Sequence, residues 1–114
     1  MAKKASKTSL LAGGQFSIPW PVPCRVKPGE TSIAVGAAGV ERFVLVSYAD
    51  GPDACNYITV PDKPWLATFP RIAEFDLLVK PNPSRKARVA TVLVQGNMSR
   101  RAYKVRVRQA GRYA

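Results

Sequence analysis

The sequence has no histidine, two cysteines, and seven acidic residues against 18 basic ones. Without histidine it lacks the commonest general base and the commonest zinc ligand. Two cysteines alone are too few for a structural zinc site, and no imidazole is available to activate either as a nucleophile. Long apolar runs are missing as well. No stretch approaches the roughly 20 apolar residues of a membrane span. The N-terminal segment MAKKASKTSLLAGG begins with charge, but its apolar run is Leu10-Leu11-Ala12, well short of the roughly 7–15 apolar residues of a secretory signal. The expectation is a chain made and retained in a cytoplasm, with no membrane partner. Gly36-Ala37-Ala38-Gly39 is followed by neither a Lys-Ser/Thr pair nor a helical pattern, so it does not read as a phosphate-cradling loop. Asp50 and Asp53 flank a Gly-Pro pair, where turn chemistry explains them without an acid/base role. These absences predict a protein that is not an enzyme and holds no metal or cofactor.

What is present is punctuation. The 114 residues suit a single domain, and 10 prolines and 8 glycines are scattered between short apolar runs, a pattern of many short strands rather than a few long helices. Residues 15–23 (QFSIPWPVP) carry proline at every second position, which forbids a central strand and suits an extended edge. Short strands are expected at 31–35, 40–48, 56–60 and 75–79, the second of them central because VERFVLVSY is rich in β-branched and aromatic residues. The last third alternates clearly. Ala90, Val92 and Val94 share one face against Val89, Thr91 and Leu93; Tyr103, Val105 and Val107 share one face against Lys104, Arg106 and Arg108. The expected fold class is all-β, an immunoglobulin-like antiparallel sandwich of about seven strands. A flexible basic arm, residues 1–14, precedes a single domain at 15–114.

Charge is unevenly distributed along the chain. Net charge is +11, and all seven acids lie between Glu30 and Asp76. Five basic residues and no acid precede Glu30, and ten basic residues and no acid follow Asp76. Segregation of this kind implies an electropositive face suited to nucleic acid, anionic lipid or an acidic protein surface. The stripe Lys104, Arg106, Arg108 is the best candidate contact, supported by Arg100, Arg101 and Arg112 and by Lys3, Lys4 and Lys7 of the arm. Arg85, Lys86 and Arg88 extend it if their strand is a neighbour. Against this stands the plain alternative of a solvated face, or of an edge kept charged against aggregation. Nucleic acid would bind such a face through phosphate charge. The stacking rings of a single-strand binder are not interleaved with it, apart from Tyr103 and Tyr113.

Cys24 and Cys55 have two readings, a disulfide across the sandwich or a reduced pair, the latter favoured by a cytoplasmic origin. Trp65 reads as a core anchor between the sheets, with an exposed sugar-stacking platform as the alternative. Trp20 fits either environment.

Taken together, several stretches make the chain resemble the BACON family of immunoglobulin-like domains. They are Cys24 with its Pro-containing strand, the turn at 36–39, Cys55-Asn56-Tyr57, Pro64-Trp65-Leu66, 75–82, 88–94, and the ending Val105 to Gly111. The likeness covers roughly residues 24–111, and Tyr57 stands where family members usually carry an aromatic, often tryptophan. The resemblance implies the sandwich fold, a packing role for Trp65 and, through the family's association with carbohydrate-active proteins, a glycan partner. A lone domain of this kind, with a basic arm and no catalytic apparatus, is expected to be a structural assembly protein. The specific expectation is a virion component, a capsid-decorating or minor structural protein of a bacteriophage assembled in the host cytoplasm. Its arm and basic face would dock on acidic coat protein. Glycan binding and nucleic-acid binding are the alternatives.

Overall fold

The computed structural model describes residues 24–48 and 55–112. The expected arm at 1–14, with Lys3, Lys4 and Lys7, lies outside the described residues. So do the Pro-rich segment at 15–23, Trp20, the turn at 50–53 and Tyr113.

The described residues form eight strands and no helix. They are β1 (Val26–Pro28), β2 (Ser32–Val35), β3 (Val40–Tyr48), β4 (Tyr57–Pro61), β5 (Leu66–Pro70), β6 (Glu74–Val79), β7 (Arg88–Gly96) and β8 (Ala102–Gln109). Two four-stranded sheets result, sheet 1 in the order β1-β3-β6-β5 and sheet 2 in the order β2-β8-β7-β4. The alternation expected in the last third is present: Ala90, Val92, Val94, Val105 and Val107 are all buried. They meet Val44, Phe75, Leu77 and Val79 from sheet 1 in one core. Each of the valines, Leu77 and Phe75 contributes about 1.5–3 kcal/mol by leaving water, an upper estimate against a compact unfolded chain.

β1 is the Pro-containing strand that the resemblance implies after Cys24, β5 falls where none is expected, and both are the edges of sheet 1. Pro28 and Pro70 sit in them, and an edge tolerates proline because one side of the strand has no ladder to supply. The expectation of a purely antiparallel sandwich is corrected at one pair, since β2 runs parallel to β8, with Ser32 opposite Arg106 and Val35 opposite Gln109. The cause is a change of sheet. Gly29 N–H still bonds Leu45 O in sheet 1, while two residues later Thr31 O accepts from Arg106 N–H in sheet 2. The chain therefore continues in one direction from the first sheet to the second instead of reversing.

The two ends of the sandwich are closed differently. At one end Cys24, just before β1, and Cys55, just before β4, are joined by a disulfide with Cα atoms 5.8 Å apart. This bond ties sheet 1 to sheet 2. Gly96 at the end of β7 packs so closely that a Cβ there would overlap the Cys24 carbonyl. Beside the disulfide, Tyr48 and Tyr57 meet edge-on with ring centres 6.4 Å apart. Their hydroxyls hold the β5–β6 loop: Tyr48 donates to Ile72 O at 2.5 Å, and Tyr57 reaches Arg71 O at 2.6 Å and Glu74 O at 3.0 Å. Burial raises the pKa of both phenols above the ordinary value.

At the other end the closure is polar. Gln109, fully buried, donates from Nε2 to Lys80 O at 2.8 Å and to Gly36 O at 3.1 Å. Asn82, also buried, donates to Lys86 O at 2.8 Å and Ala110 O at 3.1 Å. These two amides tie the β2–β3, β6–β7 and C-terminal segments together. The turn they hold needs Gly39, whose φ is +85° and whose missing Cβ would strike Val79 O.

Candidate docking face

Lys104, Arg106 and Arg108 alternate along β8 with the buried Val105, Val107 and Gln109, and all three point outward and are exposed. Residues two apart on a strand are about 6.8 Å apart, so the three cations form one straight column on the outer face of sheet 2. Register places Ser32 and Ala34 of β2 beside Arg106 and Arg108 on one flank. On the other flank Leu93, Thr91 and Val89 of β7 stand opposite Lys104, Arg106 and Arg108. The small neighbours on the β2 side leave the cationic heads standing clear of the surface. Among the described residues none of the three makes an ion pair. No acid occurs on β2, β7 or β8. Asp62, just beyond β4, accepts a hydrogen bond from Thr91 N–H at 2.8 Å.

The other expected contact residues are dispersed around this column. Arg100 and Arg101 lie in the β7–β8 connection, at the disulfide end. Arg112 follows β8 at the opposite end, its N–H bonded to Ser84 O at 2.8 Å. The expected extension through Arg88 is corrected: β7 does neighbour β8, but Arg88 pairs in register with the buried Gln109 and turns to the inner side. Its Nε donates to Gln109 Oε1 at 2.8 Å, and its guanidinium covers the Trp65 ring at 4.2 Å. Burial pushes this guanidinium below its ordinary pKa, though it stays protonated at neutral pH.

Trp65 itself is half-buried and packs against the core from the β4–β5 connection. The large aromatic filling the centre between the sheets is instead Phe75. A connection at the rim lets one face of an indole meet the core, while the other is closed here by Arg88.

The opposite outer face differs in character. On sheet 1, Phe43, Asp76 and Phe69 stand in one register row across β3, β6 and β5. Leu45 and Glu74 form the next row. Phe43, Leu45 and Phe69 are 60%, 65% and 56% exposed. Among the described residues every acid carried on a strand, namely Glu41, Glu74 and Asp76, faces outward here. Asp76 is held by Arg71 at 2.9 Å, an interaction that raises the Arg71 pKa. The strand-borne acids thus lie on sheet 1 and the β8 cations on sheet 2, although Arg71 and Lys27 also stand on the sheet 1 side. Sequence reasoning missed this apolar-acidic face because VERFVLVSY is apolar at both parities, which hides the outward set; the acids in Glu74-Phe75-Asp76 were the usable signal.

No family model and no curated protein matches the chain. Among solved structures it is similar to a Bacteroides ovatus GH5 xyloglucanase in complex with a XXXG heptasaccharide, with a TM-score of 0.62 and 17% identity. That match covers 77% of this chain and 19% of the enzyme, so the chain spans under a fifth of that protein's length. It is also similar to a protein from Bacteroides thetaiotaomicron solved by NMR, with a TM-score of 0.57 and 13% identity, covering 88% of this chain and 98% of the other. At these identities the likeness is one of fold.

Proposed function

We propose that this chain is a non-enzymatic assembly protein that docks on an acidic protein surface through the cationic column of β8, as a structural component of a virion. The observation that carries the docking role is the column itself: Lys104, Arg106 and Arg108 are aligned, exposed and, among the described residues, without ion pairs, with uncharged neighbours on both flanks. Charges arranged this way raise the encounter rate with an opposite surface and set orientation on contact. The two-sheet architecture with its sheet-switching first strands supports an immunoglobulin-like fold of the BACON kind, with residues 1–14 as a basic arm adding to the same attraction. The virion reading draws on a β-sandwich that carries docking chemistry on one outer face, and it would locate the protein in particles assembled in a host cytoplasm.

The test is density-gradient fractionation of the native source with the chain followed by mass spectrometry. Banding with intact particles in fixed ratio to a coat protein is the expected result. Recovery at the top of the gradient as a free small protein removes the virion reading.

Glycan binding is a second reading, favoured by the exposed Phe43 and Phe69 flanking Asp76 on the outer face of sheet 1. Calorimetric titration with soluble glycans tests it, and a flat response removes it. Nucleic-acid binding draws on the same cations as the docking reading. Tyr103 stands opposite Val94 on the inner side of sheet 2, so it offers no stacking ring beside them, and phosphate charge would have to supply the affinity.

A further inference from the structure

We propose that the outer face of sheet 1 is a docking surface for the outer face of sheet 2 of a second copy of this chain, so that copies stack front to back. The inference rests on the docking reading above and deepens it by naming an acidic surface that the β8 column meets.

Three observations carry it. The first is the apolar patch. Isolated surface hydrophobics are ordinary, but Phe43, Leu45 and Phe69 are more than half exposed and lie in adjacent register rows, the arrangement that marks a contact surface. Sheet 2 answers with Ile58 and Val60 of β4, 55% and 47% exposed on its outer face.

The second is charge. The strand-borne acids all face outward on sheet 1, and the β8 cations all face outward on sheet 2. Asp76 is already engaged by Arg71, and Lys27 of β1 adds one cation at the rim. The carboxylates left without an ion pair are therefore Glu41 and Glu74. Glu41 borders a shallow hollow of about 370 Å³ lined also by Arg42, Phe43, Arg71 and Asp76; its two guanidiniums are already held by Glu30 and Asp76, which leaves Glu41 for an incoming cation. A carboxylate beside an aromatic ring is a seat for a guanidinium, by ion pairing and by stacking.

The third is spacing. Glu74 and Asp76 are two residues apart on β6, as are the members of the cationic column on β8. Both columns therefore repeat at about 6.8 Å, so when the sheets lie face to face one β8 cation meets Glu74 while its neighbour meets the Asp76–Arg71 pair. Because the two faces are different, the contact is head-to-tail and builds a row or ring rather than a closed two-fold dimer. In an open row one basic face stays free at the end, available to the particle surface.

The experiment uses the full chain and two charge-reversed variants, all followed by sedimentation velocity over a range of concentration and salt. One variant carries Glu41→Lys and Glu74→Lys; the other carries Lys104→Glu, Arg106→Glu and Arg108→Glu. The unaltered chain is expected to associate beyond a dimer as concentration rises and to dissociate as salt screens the contact. Each variant alone is expected to lose association by about 100-fold or more, because like charges then face each other. An equimolar mixture of the two variants is expected to regain it, since each supplies the face the other has lost. That recovery also reports that both variants are folded. A wild-type chain that stays monomeric, a variant that associates like wild type, or a mixture that stays monomeric overturns the stacking. A chain that bands with particles yet fails here keeps its docking role and loses the stacking; one that stacks yet stays off particles loses the virion reading instead.

Discussion

The guanidinium of Arg88 lies over the Trp65 ring at 4.2 Å while its Nε donates to the buried Gln109 at 2.8 Å. One side chain thus closes the polar end of the sandwich, covering an indole and satisfying an amide oxygen that has no access to water. Arg88→Ala is expected to cost about 1–3 kcal/mol through the lost charge-assisted bond and the uncovered ring. Arg88→Lys should recover part of this, since an ammonium keeps the charge but not the planar fork. Urea unfolding midpoints with unchanged slopes are the check.

Gln109 is the most connected buried polar group at that end, joining Gly36 O, Lys80 O and Arg88. Gln109→Leu keeps the volume and strands these partners in a dry site. The expected loss is about 2–4 kcal/mol, larger than for Arg88→Ala, because leaving a buried group unpaired costs more than its bond contributes. Equal destabilisation by the two substitutions would show that water reaches the site.

The Cys24–Cys55 bond closes a segment with a sequence separation of 31. On loop entropy alone its removal should cost about 3–4 kcal/mol. The double substitution Cys24→Ala and Cys55→Ala, compared with wild type in the presence and absence of a reductant, separates this effect from packing. A reductant should destabilise wild type and leave the double variant unchanged.

Tyr48 and Tyr57 carry a pH dependence of defined sign. Burial raises both phenols above the ordinary value, so the folded state holds these protons to higher pH than the unfolded state does. Their contribution is fully present below pH about 10, the unfolded value, and is lost as pH rises through the folded values. Unfolding temperature should fall across that alkaline window in step with the ultraviolet signature of tyrosinate. The slope should be shallower in the double variant Tyr48→Phe and Tyr57→Phe.

Much of the fold was legible because burial on one face imposes strict alternation. β6, β7 and β8 each carry it, and in β7 and β8 the two faces divide as the alternation predicts. The edges were not legible from alternation, and only the resemblance pointed to β1. β1 and β5 are short and contain Pro28 and Pro70, and proline reads as a break unless the strand is known to have a free side. Register and direction were also hidden, since alternation assigns faces and not neighbours, and the parallel β2–β8 pair depends on a change of sheet within residues 29–31. The outward orientation of the β8 column was readable from period alone. The inward turn of Arg88 was not, because it is set by its register partner Gln109, 21 residues away. Trp65 was read as central because of its size, whereas its place in a connection leaves it at the rim.

The central claim is that the β8 column docks the chain on an acidic particle surface. Its most direct test is cosedimentation of purified full-length chain with intact particles from the native source, beside Arg106→Glu at the centre of the column. The account predicts that wild type pellets with particles in a saturable, salt-sensitive manner while the folded Arg106→Glu chain stays in the supernatant. If both chains pellet equally, or if neither does, the column is not the docking surface.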